Sequence, residues 1–134
     1  MTQQPYSRSL HHYETDADGV CHFSNYLRIF EEAFEFSLAE AGFPISELEH
    51  TFAVFNLQVD YLRPLRPNIT FNVIIDFLRI KRSFIHAKAL IYAAESHCAS
   101  LKITLVATNR KDNSSTQIAS TLRKKLLTLQ VASS

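Results

Sequence analysis

Ser24-Asn25-Tyr26-Leu27-Arg28-Ile29-Phe30-Glu31-Glu32-Ala33-Phe34-Glu35-Phe36-Ser37-Leu38-Ala39-Glu40-Ala41-Gly42 is the stretch from which the fold can be read. Leu27, Phe30, Phe34, Leu38 and Ala41 recur at the spacing of one helical face, and Arg28, Glu31, Glu32, Glu35 and Glu40 fall mostly on the others. The pattern predicts an amphipathic helix over 24–41. Gly42 supplies its stop, because glycine takes the left-handed conformation that ends helices.

Beyond Gly42 the period changes. Phe43-Pro44-Ile45 begins an irregular link, and Ser46 to His50 forms a short acidic piece. Ala53, Phe55, Leu57, Val59 and Tyr61 then alternate with Asn56, Gln58 and Asp60, the period-two signature of a strand with one covered face, ended by Pro64 and Pro67. Residues 70–80 place Phe71, Val73, Ile75 and Phe77 on one face, with Ile74, Leu78 and Ile80 on the other. A basic turn, Arg79 to Ser83, leads into residues 84–94, where Ile85, Ala87, Ala89, Ile91 and Ala93 make a face of mainly small side chains against which a helix packs closely. Residues 99–108 add Leu101, Ile103, Leu105 and Ala107. Before the helix, residues 6–13 read as a further strand with Tyr6, Arg8, Leu10 and His12 on one side.

One long helix and five strands with one apolar stripe each predict an α+β design, an antiparallel sheet wrapped around a single central helix. A chain of 134 residues fits one domain. Its core is expected at about 6–108, with 109–134 as a C-terminal tail in which Thr121 to Leu127 forms either a short basic amphipathic helix or a frayed end. An open curved sheet leaves an edge strand, which is commonly paired with another copy, so a homo-oligomer, dimer or tetramer, is expected.

Composition narrows the function. Lys+Arg 14 against Asp+Glu 13 leaves a net charge of +1, which argues against broad nucleic-acid binding. No basic region precedes an apolar run at the N-terminus, and no window is apolar enough to span a bilayer. The lone cysteines, Cys21 and Cys98, suit a reducing compartment, so a cytoplasmic protein is expected. His11-His12, Cys21-His22 and His97-Cys98 are adjacent pairs without converging ligand spacing, and no metal or cofactor is expected.

The chemistry is expected just before the helix. Glu14, Asp16 and Asp18 crowd into five residues ahead of a helix start, whose unpaired N–H groups and positive dipole end favour negative charge. Acidic residues in this place also serve as plain end caps. Here the pattern around them carries a resemblance. Asp16-Ala17-Asp18-Gly19-Val20, then His22, Asn25-Tyr26-Leu27 and Phe30-Glu31, resemble the opening motif of the 4-hydroxybenzoyl-CoA thioesterase family of hotdog-fold acyl-CoA thioesterases. Val59-Asp60-Tyr61 with Pro64, and Arg82-Ser83-Phe84, look like that family's second and third landmarks.

The resemblance implies a hotdog fold, an acyl-CoA substrate, and Asp16 as the catalytic carboxylate. It implies a backbone N–H at Phe23 as the oxyanion contact, although many members carry histidine there, so a side-chain role of that histidine is absent. Glu14 and Asp18 fall where the family is variable and inherit no role. Val20, His22 and Tyr26 are expected around the acyl group, and Lys81, Arg82 and Ser83 near the coenzyme A phosphates. The alternative substrate is a thioester of acyl carrier protein. A different class of reading is a non-catalytic hotdog module that binds an acyl thioester or a partner protein, and retention of Asp16 argues against it.

Overall fold

The computed structural model describes residues 4–131. Its elements are β1 (Tyr6–Ser9), a 3-10 turn (His12–Glu14), α1 (Asn25–Glu40), a second 3-10 turn (Ile45–Glu47), β2 (His50–Tyr61), β3 (Thr70–Ile80), β4 (Phe84–Ala93), β5 (Ser96–Asn109) and α2 (Ser120–Leu129). The strands form one antiparallel sheet in the order β1-β3-β4-β5-β2. It curls around α1 in the hotdog arrangement.

The sheet's inner face is built as the alternation requires. Phe71, Val73, Ile75 and Phe77 of β3, Ile85, Ala87, Ala89 and Ile91 of β4, and Leu101, Ile103, Leu105 and Ala107 of β5 are all buried. Against them α1 sets Tyr26, Ile29, Phe30, Ala33, Phe34 and Leu38. The buried stripe is therefore rotated from the expected one: Ile29 and Ala33 lie in it, whereas Leu27 and Ala41 are only half-buried. Gly42, at φ +94°, closes the helix as expected. The Gly42 and Phe43 N–H groups donate to the carbonyls of Ala39 and Leu38 at 3.0 and 2.8 Å, which satisfies two orphan acceptors of the last turn.

Three expectations need correction. The strand expected over 6–13 ends at Ser9, because His12–Glu14 turns away as a 3-10 helix. In β2, a bulge between Val54 and Asn56 breaks the alternation. Phe52 and Val54 lie opposite buried Ala107 and Leu105, and Leu57, Val59 and Tyr61 lie opposite buried Ile103, Leu101 and Ala99. Ala53 faces outward, and Phe55, the extra residue, stands 76% exposed on the outer side. A matching irregularity between Phe77 and Arg79 returns Ile80 to the core.

The third correction concerns the segment after residue 109. Rather than a tail beside the core, it contributes Ile118, Leu122 and Leu126, all fully buried. Helix α2 lies against β3, and Val131 N–H donates to the Phe77 carbonyl at 3.0 Å. The described residues therefore form two α-helices, the second packed on β3. Among the described residues no helix is long and apolar enough to cross a membrane.

Candidate active site

The loop between the first 3-10 turn and α1 is folded on itself. Asp16 N–H donates to the Val20 carbonyl at 2.8 Å, and Gly19 N–H to the Asp16 carbonyl at 3.1 Å. Gly19, at φ +75°, makes the reversal. Asp16 Oδ1 accepts from the N–H groups of Asp18 and Val20 at 2.9 and 3.4 Å, so this side chain ties its own turn. Its second oxygen takes no hydrogen bond among the described residues. A bridge between Thr15 and Cys21 closes the turn, and Cys21 N–H donates to the Leu65 carbonyl at 2.7 Å.

Half-buried Asp16 opens onto a cavity of about 310 Å³. Val20, Cys21, Phe23 and Tyr26 line it from the loop and α1, and Tyr61, Leu62, Arg63 and Pro64 from the end of β2. The Tyr61 hydroxyl donates to the Phe23 carbonyl at 3.1 Å and its ring meets Tyr26 edge-on at 5.0 Å, which locks the two walls together. Leu62 and Arg63 N–H groups both donate to the Cys98 carbonyl. Burial raises the Tyr26 phenol well above its ordinary value, and neighbouring Cys21 adds to this, so the phenol stays protonated. The Cys21 thiol is pushed up to about 11 by burial and then by Glu14, which keeps it protonated at neutral pH.

Phe23 lies at the start of α1. Its ring is 66% exposed, and among the described residues its N–H donates to no protein group. That orphan donor at a helix start is the type of group that receives an oxyanion. The cavity thus unites four of the expected site residues: Asp16, Val20, Phe23 and Tyr26.

The remaining four lie elsewhere. His22 turns to the helix start: its Nδ1 accepts from Ser24 N–H at 3.1 Å, and its ring stacks on Phe23 at 4.3 Å. Lys81, Arg82 and Ser83 form the β3–β4 turn at the opposite end of the sheet. Along β5, Val106 pairs with Phe84 and Ala99 with Tyr61, and seven steps at ~3.4 Å separate the two ends by about 24 Å. Lys81 and Arg82 are exposed, and the Arg82 carbonyl accepts from Ile118 N–H at 2.8 Å.

Sequence reasoning missed Arg63, the one cation lining this cavity among the described residues. Its signal lay in the segment between Tyr61 and Pro64, already marked by the second landmark. The buried pair Arg8–Glu14 was also missed. Leu27, Phe30 and Phe34 line a second cavity of about 360 Å³ between α1 and β2, with Glu31, Glu35 and Arg110 also on its walls. Among the described residues no group of three His, Cys, Asp or Glu side chains is placed to hold a metal.

Known proteins resemble this chain in sequence and in fold. Over 80 residues the chain is 36% identical to a curated Aquifex aeolicus protein named as an esterase, covering 58% of this chain and 62% of that one. Over 82 residues it is 33% identical to a 1,4-dihydroxy-2-naphthoyl-CoA hydrolase of Thermosynechococcus vestitus, 58% of this chain and 56% of the relative. The aligned part is thus about three fifths of these relatives' length. A crystal structure of an Aquifex aeolicus protein superposes with a TM-score of 0.85 at 25% identity, covering 92% of this chain and 98% of that one. The family profile of the Thioesterase-like superfamily matches residues 10–126, and the chain belongs to that superfamily.

Proposed function

We propose that the protein hydrolyses an acyl-CoA thioester to the free acid and coenzyme A, with Asp16 as its catalytic carboxylate and the Phe23 N–H as its oxyanion donor. The observation that carries this reading is the shared cavity, whose walls include both Asp16 and Phe23, the latter with a backbone N–H that donates to no protein group among the described residues. A thioester carbonyl gains negative charge as a nucleophile adds. A preorganised N–H there is worth about 3 kcal/mol of transition-state stabilisation.

Asp16 serves by one of two routes. In the first its free oxygen attacks the carbonyl carbon, a mixed anhydride forms, and the C–S bond breaks to release the coenzyme A thiolate. Water then cleaves the anhydride and regenerates the carboxylate. In the second, Asp16 takes a proton from water as the water oxygen adds, and the collapsing intermediate expels the thiolate. In both, Oδ1 anchored to Asp18 and Val20 keeps the group in place.

The walls favour an aromatic acyl group: Phe23, Tyr26 and Tyr61 line the same cavity as Asp16, and one relative is named for a dihydroxynaphthoyl substrate. This is the reading closest to the 4-hydroxybenzoyl-CoA thioesterases that the motif resembles.

The coenzyme A contacts come from a second copy in this reading. Strand β2 is a free edge with Val54, Phe55, Tyr61 and Leu62 exposed. Two antiparallel β2 strands related by a two-fold axis set the start of one against the end of the other. The partner's basic turn then approaches the Asp16 cavity that this chain's own turn, about 24 Å away along the strands, does not reach. Lys81 and Arg82 there attract the nucleotide phosphates.

The test is thiol release from short, long and aromatic acyl-CoAs by wild type and Asp16→Asn. Release that falls at least 100-fold in the variant supports the reading, and undiminished release overturns it.

A further inference from the structure

A polar network of Tyr6, Arg8, Glu14 and Glu32 lies behind the candidate site and is not used by the reaction above. Glu14 is 3% exposed. The Arg8 guanidinium forks onto it, Nη1 to Oε1 at 2.7 Å and Nη2 to Oε2 at 2.8 Å, and Nε of the same group donates to Glu32 Oε1 of α1 at 2.7 Å. Tyr6 donates its hydroxyl to the same Glu32 oxygen at 2.8 Å, and His11 N–H donates to Glu14 Oε1 at 2.9 Å. One residue is therefore fixed at once to β1, to the 3-10 turn and, through Arg8, to α1.

The main chain of Glu14 carries that fixation forward. Its carbonyl accepts from His22 N–H at 2.9 Å and from the Asn25 side-chain amide at 2.8 Å. Asp16 follows Glu14 by two residues, and Phe23 follows His22 by one and precedes Asn25 by two. The carboxylate and the orphan N–H thus hang from the two sides of a single anchored residue. A buried ion pair is a poor means of gaining stability, since apolar side chains of similar volume often serve as well or better. What a forked guanidinium supplies that they do not is orientation.

We propose that Arg8, Glu14 and Asn25 are positioning residues that set the separation between the Asp16 carboxylate and the Phe23 N–H. This deepens the hydrolase reading and rests on it for its catalytic consequence. Hydrogen bonds that must meet a developing oxyanion at about 3 Å tolerate little displacement, so a small shift costs rate rather than substrate binding.

The experiment uses Asn25→Ala, and the triple variant Arg8→Met, Glu14→Leu and Glu32→Gln, which removes the three charges of the network together and so leaves none of them unpaired. Each is compared with wild type for kcat, for Kd of an unhydrolysable thioether analogue of the preferred acyl-CoA, for melting temperature, and for the amide resonance of Phe23 by 15N–1H correlation. The expected result is kcat lowered tenfold or more with analogue affinity within twofold, a folded oligomer, and a displaced Phe23 resonance. Wild-type kcat and an unmoved Phe23 resonance in a folded variant overturn the proposal. So does a kcat loss matched by an equal loss of analogue affinity, the mark of general loosening. Asp16→Asn is run alongside: undiminished turnover in that variant removes the hydrolase reading, while the Phe23 resonance still tests the geometry.

Discussion

Asp16 has two oxygens in different settings: Oδ1 holds the turn through the Asp18 and Val20 amides, and the other, which takes no hydrogen bond among the described residues, is the one proposed to react. Asparagine keeps the acceptor and loses the reactive oxygen, so Asp16→Asn is expected to preserve the melting temperature within a few degrees while thiol release falls at least 100-fold, the scale on which positioned bases act. Cys21 lines the same cavity, yet its thiol sits at about 11, and thiolate is the reactive form. Alkylation of the native protein at pH 8, followed by peptide mass spectrometry, is expected to leave Cys21 unlabelled and to label it after unfolding. Rapid labelling of the folded chain contradicts the burial described. The turn that carries Asp16 was legible in the sequence because its glycine and the following helix are local. Glu14 was not, since its burial depends on Arg8 of β1 and Glu32 of α1, a pairing across 24 residues that no local pattern encodes.

At the scale of elements, α1 was legible from its period and β4 and β5 from strict alternation. The bulges in β2 and β3 were not, because apolar residues continue on both sides of them: Phe52 to Leu57 and Phe77 to Ile80 read equally well in either phase. Helix α2 was half-legible, its amphipathic pattern visible but its docking surface distant in sequence. Since Leu122 is fully buried, Leu122→Ala is expected to cost about 3 kcal/mol in urea unfolding, whereas a frayed tail would lose almost nothing. The start of α2 is also tied to β2: His50 Nε2 accepts from Ala119 N–H at 2.9 Å. Burial above all lowers the His50 pKa below its ordinary 6.5, with a smaller contribution from Arg110, against the opposing influences of the Thr51 backbone and Glu49. The native state therefore binds fewer protons than the unfolded one. The resulting stability is complete above about pH 6.5 and is lost as pH falls below it toward the folded value, at up to about 1.4 kcal/mol per pH unit. Unfolding midpoints measured between pH 7.5 and 5.5 are expected to fall in wild type and to fall less in His50→Gln, whose side-chain oxygen still accepts the Ala119 proton. Parallel curves contradict the assignment.

For the whole molecule, the unpaired β2 edge and the distance between the Asp16 cavity and the basic turn make the two-fold dimer a functional claim rather than a packing detail. In the proposed homodimer, Asp16→Asn removes the carboxylate of every site, and the double variant Lys81→Ala, Arg82→Ala removes the basic turn of every site. Mixing them by unfolding and refolding together gives heterodimers in which one site has an intact Asp16 facing an intact turn. Activity of the mixture well above the sum of the separate proteins is expected, and simple additivity argues for sites complete within one chain. The measurement closest to the central claim is simpler: release of coenzyme A thiol from a panel of short, long and aromatic acyl-CoAs, by wild type and Asp16→Asn side by side. The predicted result is turnover strongest on aromatic acyl groups and at least 100-fold lower in the variant. Equal turnover by both proteins, or none by a folded wild-type oligomer on any member of the panel, contradicts it.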